Sequence, residues 1–316
     1  MSKRIAFTLI ELLVVLALIA VLAGLAIYFV PSFQTSERAA RGAGNLQTWL
    51  QSARQRAIRD REIRGLRIQF DPATKLATKA MYLEVPDDLG SGRFFDAKLN
   101  DWRSLQLSAS PDGDMRKAWI QSVDSMGVNG PPLDFGPGFS KDPIIQAGDY
   151  IEFDGVGLPR QIVDSAQSDK TKPVFDMIVL KSPLPEGITS PVKHFRVMRA
   201  PRPTGDEVLD LPKTIAVDAN TNDWYDGKAP GVESLPISAV GNLDIMFAPT
   251  GRCITKFGKP HCVLWVRSTD EDSAPAVQAD WFRGEPTLIV IYVDSGMVAA
   301  YQVNTGNVAN PYDLVK

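Results

Sequence analysis

The chain has few of the residues that most often carry chemistry. Its 316 residues include two cysteines, Cys253 and Cys262, and two histidines, His194 and His261. A structural zinc site takes about four Cys or His ligands at short spacings, and no CxxC or HxxxH pair occurs. His261 adjoins Cys262, but two neighbouring ligands do not make a site, so both histidines read as structural. No nucleophile elbow or other catalytic signature is present, and we expect no enzyme. An excess of one charge is missing as well. Lysine and arginine total 34 against 37 acids, for a net charge of −3, whereas nucleic-acid binders usually show a basic surplus. No sequence repeat is visible.

What the chain does have is a long apolar run near its start. Lys3 and Arg4 lead into Phe7–Val30, which carries one charge, Glu11. Crossing about 30 Å of hydrocarbon takes roughly 20 apolar residues in a helix. A helix on the surface of a globular domain would show polar residues every third or fourth position, and none follows Glu11. The run therefore predicts a transmembrane helix over 7–30, with the N-terminus cytoplasmic by the positive-inside bias of Lys3 and Arg4. Arg38 and Arg41 on the far side weaken that bias. An ordinary signal peptide places its small residue after the apolar stretch. Here Ala6 comes before it, so the sequence reads as a segment trimmed at its front that keeps its helix.

Glu11 stands out. A carboxylate near the end of a span costs free energy unless it reaches the interface or a cation. Two readings stay open: headgroup depth, or a positive group supplied by another molecule. Cutting before Phe7 would create an α-amino group four residues from Glu11, and that amine could neutralise the carboxylate of a neighbouring copy.

The stretch Ala6-Phe7-Thr8-Leu9-Ile10-Glu11-Leu12-Leu13-Val14-Val15 resembles the cleavage and methylation signature of the type IV pilin superfamily. The resemblance implies cleavage by a prepilin peptidase between Ala6 and Phe7, giving a leader of 1–6, and N-methylation of Phe7. It also implies that Thr8 and Glu11 serve assembly with other pilin or pseudopilin subunits, at an inner-membrane assembly platform. The family most often has glycine before the cut, where this chain has Ala6. Removing Lys3 and Arg4 with the leader takes the net charge from −3 to −5.

Beyond the membrane, Pro31 predicts a kink, and Gly42 and Gly44 loosen the helix further. Leu46, Trp49, Leu50, Ala53 and Ala57 then recur at three- and four-residue steps, an apolar stripe that predicts an amphipathic extension over 31–62. Six arginines follow closely: Arg54, Arg56, Arg59, Arg61, Arg64 and Arg67. They suggest a nucleic-acid or anionic-lipid patch. At 100° per residue, however, the first four spread around the helix, and Asp60 and Glu62 interrupt them, so a solvated helix end is the preferred reading. The segment Leu46–Arg67, notably Ala53-Arg54-Gln55-Arg56-Ala57-Ile58, also resembles the helix end of GspH/FimT-type minor pseudopilins, some of which bind DNA. Nucleic acid is thus an alternative partner, not the favoured one.

Residues 63–316 predict a β-rich soluble domain. Leu66, Ile68 and Phe70 alternate with Arg67 and Gln69 before the turn Asp71-Pro72. Further strands are expected at 80–85, 150–153, 174–180, 194–198, 214–217, 243–247, 263–266, 288–293 and 297–303. The last two are joined by Asp294-Ser295-Gly296, a hairpin turn. An insertion of about 86–205 is rich in Gly, Pro and Asp, with aromatics enough to be partly structured. The segment 243–251 and the closing hairpin resemble the C-terminal sheet of the same pseudopilin group. The expected fold is α+β and type IV pilin-like: a long N-terminal helix packed on an antiparallel sheet, with a large insertion.

Two smaller features complete the reading. Eight residues separate Cys253 from Cys262, and a four-residue turn at 256–259 would set them opposite each other, within disulfide reach. Export of the domain favours that pairing. The run Asp218-Ala-Asn220-Thr-Asn222-Asp223 spaces oxygen ligands as the first half of a calcium loop does, but lacks the glycine and final acid of an EF-hand. Calcium is the one cofactor the sequence brings into view. The functions considered are a minor pilin or pseudopilin of a type II secretion or type IV pilus machine, a ligand-binding minor pilin, and an adhesin or enzyme domain on a pilin anchor. For the first, the expected location is a single-pass inner-membrane protein with its soluble domain periplasmic or in an extracellular filament.

Overall fold

A computed structural model describes residues 9–90, 93–96, 101–110, 113–123, 129–132, 135, 137, 145–153, 156–167, 174–185, 192, 194–205, 207–228, 232–269, 282, 286–307, 310–313 and 315. Side chains are described for these except 24–36, 93–96, 101–105, 121–123, 129–132 and 156–157. The chain divides into two compact units: unit 1 is Met1–Glu84 with Pro203–Lys316, and unit 2 is Val85–Arg202.

Unit 1 begins with α1, Leu9–Asp60, 52 residues of continuous α-helix. The backbone stays helical through Pro31, Gly42 and Gly44. Ala39, Ala43, Leu46, Leu50, Ala53 and Ala57 are all within 1 % of full burial, so the apolar stripe is the packed face and extends about two turns further back than Leu46. Burying each leucine contributes about 1.5–3 kcal/mol. Gly42 is there for closeness: a Cβ on it would lie 2.5 Å from Cγ2 of Ile215. Arg61, with φ 56°, ends the helix in the left-handed turn that usually takes glycine.

The partner of that face is an antiparallel sheet. Its strands are β1 (Arg64–Phe70), β2 (Leu76–Glu84), β14 (Ile215–Asp218), β15 (Asn242–Phe247), β16 (His261–Ser268), β17 (Thr287–Tyr292) and β18 (Val298–Gln302), in the order β15-β1-β2-β14-β16-β17-β18. Two short strands, β12 (Arg202–Pro203) and β13 (Leu209–Asp210), also pair with β2. The turn Asp71–Lys75 sets the β1–β2 register. The Asp71 carboxylate accepts from Ala73 N at 2.9 Å, and Lys75 takes the left-handed position with φ 54°, Pro72 having fixed the turn's first bend.

The sheet's centre is covered on both faces. On β16, Cys262, Leu264 and Val266 point to the core under α1. Val263 and Trp265 point the other way, to Tyr225 and Tyr312. Tyr225 belongs to the short helix α2 (Asn220–Tyr225). Burial on both faces is why these strands read as near-continuous apolar runs rather than alternating ones.

Unit 2 carries its own sheet, in the order β3-β11-β8-β9-β10-β6-β5-β4, with β7 beside β6. These strands are β3 (Leu89–Gly90), β4 (Arg93–Asp96), β5 (Asp101–Ala109), β6 (Lys117–Val123), β7 (Asn129–Pro132), β8 (Tyr150–Phe153), β9 (Val156–Ala166), β10 (Met177–Leu180) and β11 (Phe195–Met198). A separate apolar core forms around Leu107, Ile120, Ile151, Ile162, Ile178 and Val197. Asp149, fully buried, accepts from Gln146 N, Ala200 N and Arg202 Nη2, which satisfies the charge that burial would otherwise penalise. The segment expected to be only partly structured thus holds a nine-stranded sheet.

Candidate functional site

The N-terminal part of α1 makes no core. Leu9, Ile10, Leu12, Leu13, Val14, Val15, Leu16, Leu18, Ile19, Val21 and Leu22 are each at least half exposed, from 50 % at Val15 to 82 % at Leu9. They lie on every side of the helix, whereas a core-facing helix shows one apolar stripe. Large exposed apolar surfaces mark contacts with membrane or protein. Among the described residues, no helix is long and apolar enough to cross a membrane. The span expected over 7–30 runs past the described side chains, which stop at Ala23 and resume at Glu37.

Glu11 sits in the first turn of α1, exposed, where the positive end of the helix dipole favours a carboxylate. Ala6, Phe7 and Thr8, the other residues expected to take part in cleavage, methylation and assembly, lie outside the described residues.

The arginine run behaves differently from a solvated helix end. Arg54 donates from Nε to Gly251 O at 3.1 Å and from Nη2 to Ser295 O at 3.2 Å, clasping two tight turns to the helix. Those turns need glycine: Gly251 and Gly296 have φ of 82° and 63°, and a Cβ on Gly296 would strike the Gly251 carbonyl. Arg56 stacks 3.8 Å above the Tyr82 ring. Arg64 pairs with Glu62 and Glu84, and Arg67 with its cross-strand neighbour Asp244 at 2.6 Å. Arg59, 74 % exposed beside Asp60, and the exposed Arg61 fit the expectation. The Arg59 hydrogen bond, above all, holds the Asp60 carboxyl below the ordinary range. Helical angles spread Arg54, Arg56 and Arg59 around α1, but could not foresee the turns and strands that meet it there.

The expected cysteine hairpin does not form. Cys262 pairs with Ile291 on β17, while Cys253 bridges Phe247 and donates its N–H to Val293 O. The register thus gives each cysteine a different neighbour, and both are free and buried. Burial pushes both thiols up in pKa, Cys262 well above its ordinary value, so neither is an activated nucleophile.

The calcium-like run is committed to the protein. Asp218, fully buried, accepts from Arg267 Nε at 2.6 Å and from Asn220 N at 2.8 Å. Asn222 donates to Val263 O, Asp223 pairs with Lys75, and Asp226 accepts from Ser234. Among the described residues no group of three or more His, Cys, Asp or Glu could hold a metal ion. His261 opens β16 with its ring 6.3 Å from that of Tyr292, and His194 is exposed.

Sequence reasoning missed the Asp218–Arg267 pair and the cleft beside Arg56. A charged residue amid the apolar run of β16 signals the first. Nothing in the sequence signals the second, because Tyr82 and Arg56 meet only through the fold.

No curated protein matched the chain. Residues 1–27 match the family model described as the prokaryotic N-terminal methylation motif, a match that spans Ala6, Phe7 and Glu11. The N-terminal segment of this chain is therefore type IV pilin-like, of the kind that a prepilin peptidase processes.

Proposed function

We propose that this protein is a non-enzymatic filament subunit, a minor pilin or pseudopilin of a type II secretion or type IV pilus machine. α1 would anchor it in the inner membrane, N-terminus inward, with the sheet units on the far side. Prepilin peptidase would cut between Ala6 and Phe7, and Phe7 would be methylated. The observation that carries the reading is the helix exposed on all sides over Leu9–Leu22, lying within the matched motif. Such a surface is stable only in lipid or against other apolar helices. The finer resemblance to GspH/FimT-type pseudopilins rests on Ala53–Ile58 and the closing strands.

In this reading Glu11 pairs with the methylated amine of a neighbouring Phe7, and Thr8 lines the same contact. Mass spectrometry of the membrane-extracted protein, made with an active peptidase, should find a chain six residues shorter carrying an N-methyl group on Phe7. An intact leader would overturn the proposal. Glu11→Val should still insert and be cleaved, yet fail to join the filament, because it leaves a buried amine without its counter-charge. Undiminished incorporation in a filament pull-down would remove Glu11 from assembly.

A second reading, a ligand-binding or catalytic domain carried on a pilin-like anchor, draws on the separate core of unit 2. A ligand captured by the wild-type chain and lost on deleting unit 2 would favour it.

A further inference from the structure

The unit 1 sheet ends on two unlike edges, β15 and β18. The chain covers the first itself. Cys253 bridges Phe247, Ile254 N donates to Met246 O, and the Thr255 hydroxyl accepts from Met246 N and donates to Asp244 O. Along β18 the main-chain groups alternate between β17 and the outside. Tyr292 N donates to Met297 O and Val303 N to Pro286 O, so Met297, Ala299, Tyr301 and Val303 face β17 in the observed register. Val298, Ala300, Gln302 and Asn304 therefore turn their N–H and C=O outward. The chain closes both ends of that row: Gln47 and Gln51 donate to Val298 O, and Asn304 N donates to Pro311 O. Between those ends, no described residue meets the N–H and C=O of Ala300 or Gln302, both of which are exposed. An open edge is ordinarily guarded by lysine, proline or a bulge. The β18 run Val-Ala-Ala-Tyr-Gln has no charge and no proline, and its register against β17 runs without a shift.

We propose that the β18 edge at Ala300 and Gln302 binds an extended, uncharged segment of a partner protein, which joins the sheet as a further strand. The outward groups of the two residues repeat after about 6.8 Å, two residues of strand. An extended polypeptide presents donors and acceptors at that interval, and its main chain supplies the bonds whatever its side chains. Ala300 shares the face of Val298, which packs under α1, and Ala299 lies on the other face. Both side chains are short and leave room for β-branched residues opposite. The side chains beside the edge, Gln47, Gln51, Tyr301 and Gln302, are uncharged, so a charged segment would lose water without gaining a counter-charge. A second copy cannot offer β15, which is covered. Pairing β18 with β18 would relate two copies by a two-fold axis normal to the sheet. Their α1 helices, which lie on the sheet, would then point in opposite directions, whereas the anchor reading has both enter one membrane from the same side. Only that exclusion rests on the anchor reading.

The test uses the full chain in detergent micelles. A fluorescein-labelled heptapeptide alternating threonine and valine is titrated and followed by anisotropy, beside the same peptide N-methylated throughout. Saturable binding of the first is expected. The second has the same side chains but no main-chain donors, and should bind roughly tenfold more weakly or worse. Ala300→Pro removes an outward donor and sets a ring in the partner's path, while Ala299 and Tyr301 keep the bonds to β17. It should weaken binding by about tenfold or more and leave the urea midpoint in place. Hydrogen exchange on the wild type needs no variant: saturating peptide should slow the Ala300 and Gln302 amides and leave those of Ala299 and Tyr301 as they were. No saturable binding, equal affinity of the methylated peptide, undiminished binding in Ala300→Pro, or unslowed Ala300 and Gln302 amides would overturn the proposal. Dimerisation of the chain that is lost in Ala300→Pro would assign the edge to a second copy and overturn it too. None of these results bears on cleavage after Ala6, which mass spectrometry reads separately.

Discussion

The two ends of α1 are one continuous helix with two different surfaces. From Ala39 to Ala57 its apolar residues form a stripe, small where the sheet comes closest and large where it does not, and the rest of the surface is polar. From Leu9 to Leu22 apolar residues occupy every side and none is buried. Helix propensity does not distinguish the ends, since both form. What differs is the periodicity: a stripe specifies one protein partner at a fixed distance, and a full collar specifies an apolar surrounding without naming an orientation.

The sharpest way to break the comparison is to place the same charge at both ends. Leu50→Asp puts an unpartnered carboxylate in a site with 0 % exposure, and should cost about 4 kcal/mol or more, unfolding unit 1. Leu13→Asp should leave urea unfolding of the sheet within about 0.5 kcal/mol of wild type while weakening retention in detergent. Equal loss from both changes would mean that the N-terminal end is folded against the protein.

A second change acts where the helix is clasped rather than packed. Arg54→Ala removes the donors that hold the Gly251 and Ser295 carbonyls, and should destabilise unit 1 by roughly 1.5–3 kcal/mol. Hydrogen exchange at the two turns should rise more than elsewhere.

Two glycines, two residues apart, should respond with opposite signs. Gly42→Ala drives a methyl into Ile215, and should cost about 1–3 kcal/mol. Gly44 has nothing within 4 Å of where its Cβ would be, so Gly44→Ala should stabilise by about 0.5–1 kcal/mol through helix propensity. Denaturant melts of the pair check both.

The smallest effect expected is alkaline. Burial and the hydrogen bond to Tyr301 push the Tyr292 phenol from an ordinary 10.0 up to about 12. Between those values the unfolded chain ionises while the folded one does not, so the unfolded state binds fewer protons and stability falls as pH rises. Cys253 and Cys262, raised above 9.0 by burial, begin the same trend earlier. Tyr292→Phe should flatten the loss between pH 10 and 12, as read by urea midpoints. The collar carries no such group, and its helicity should not follow the curve.

Much of this was legible beforehand where one residue's neighbours lie close in sequence. Alternation at Leu66, Ile68 and Phe70 predicted a strand, and β1 is there. The apolar runs at 243–247 and 263–266 fall within β15 and β16, and the run at 288–293 overruns the end of β17 by one residue. β9 was missed because Pro159, Arg160, Asp164 and Ser165 mask its pattern. The cysteine hairpin failed for a related reason: turn chemistry at 256–259 is local, but β16 gains more by pairing its apolar length with β17. The contacts of Arg54, Arg56 and Arg67 were illegible because Gly251, Tyr82 and Asp244 lie far along the chain from them.

That distance also sets an order in time. β1, among the first strands synthesised, pairs with β15, and the helix leans on β16, β17 and β18. Loop closure must precede these contacts, so unit 1 cannot complete itself until residues near 300 have emerged. All strands of the unit 2 sheet lie between Leu89 and Met198, and can assemble while the host is still waiting. During that wait the stripe from Ala39 to Ala57 has β1 beside it but not the late strands that cover the rest. A chain stalled before β16 would therefore leave open the part of the stripe that β16, β17 and β18 cover, which makes the late strands the protein's own guard against premature association.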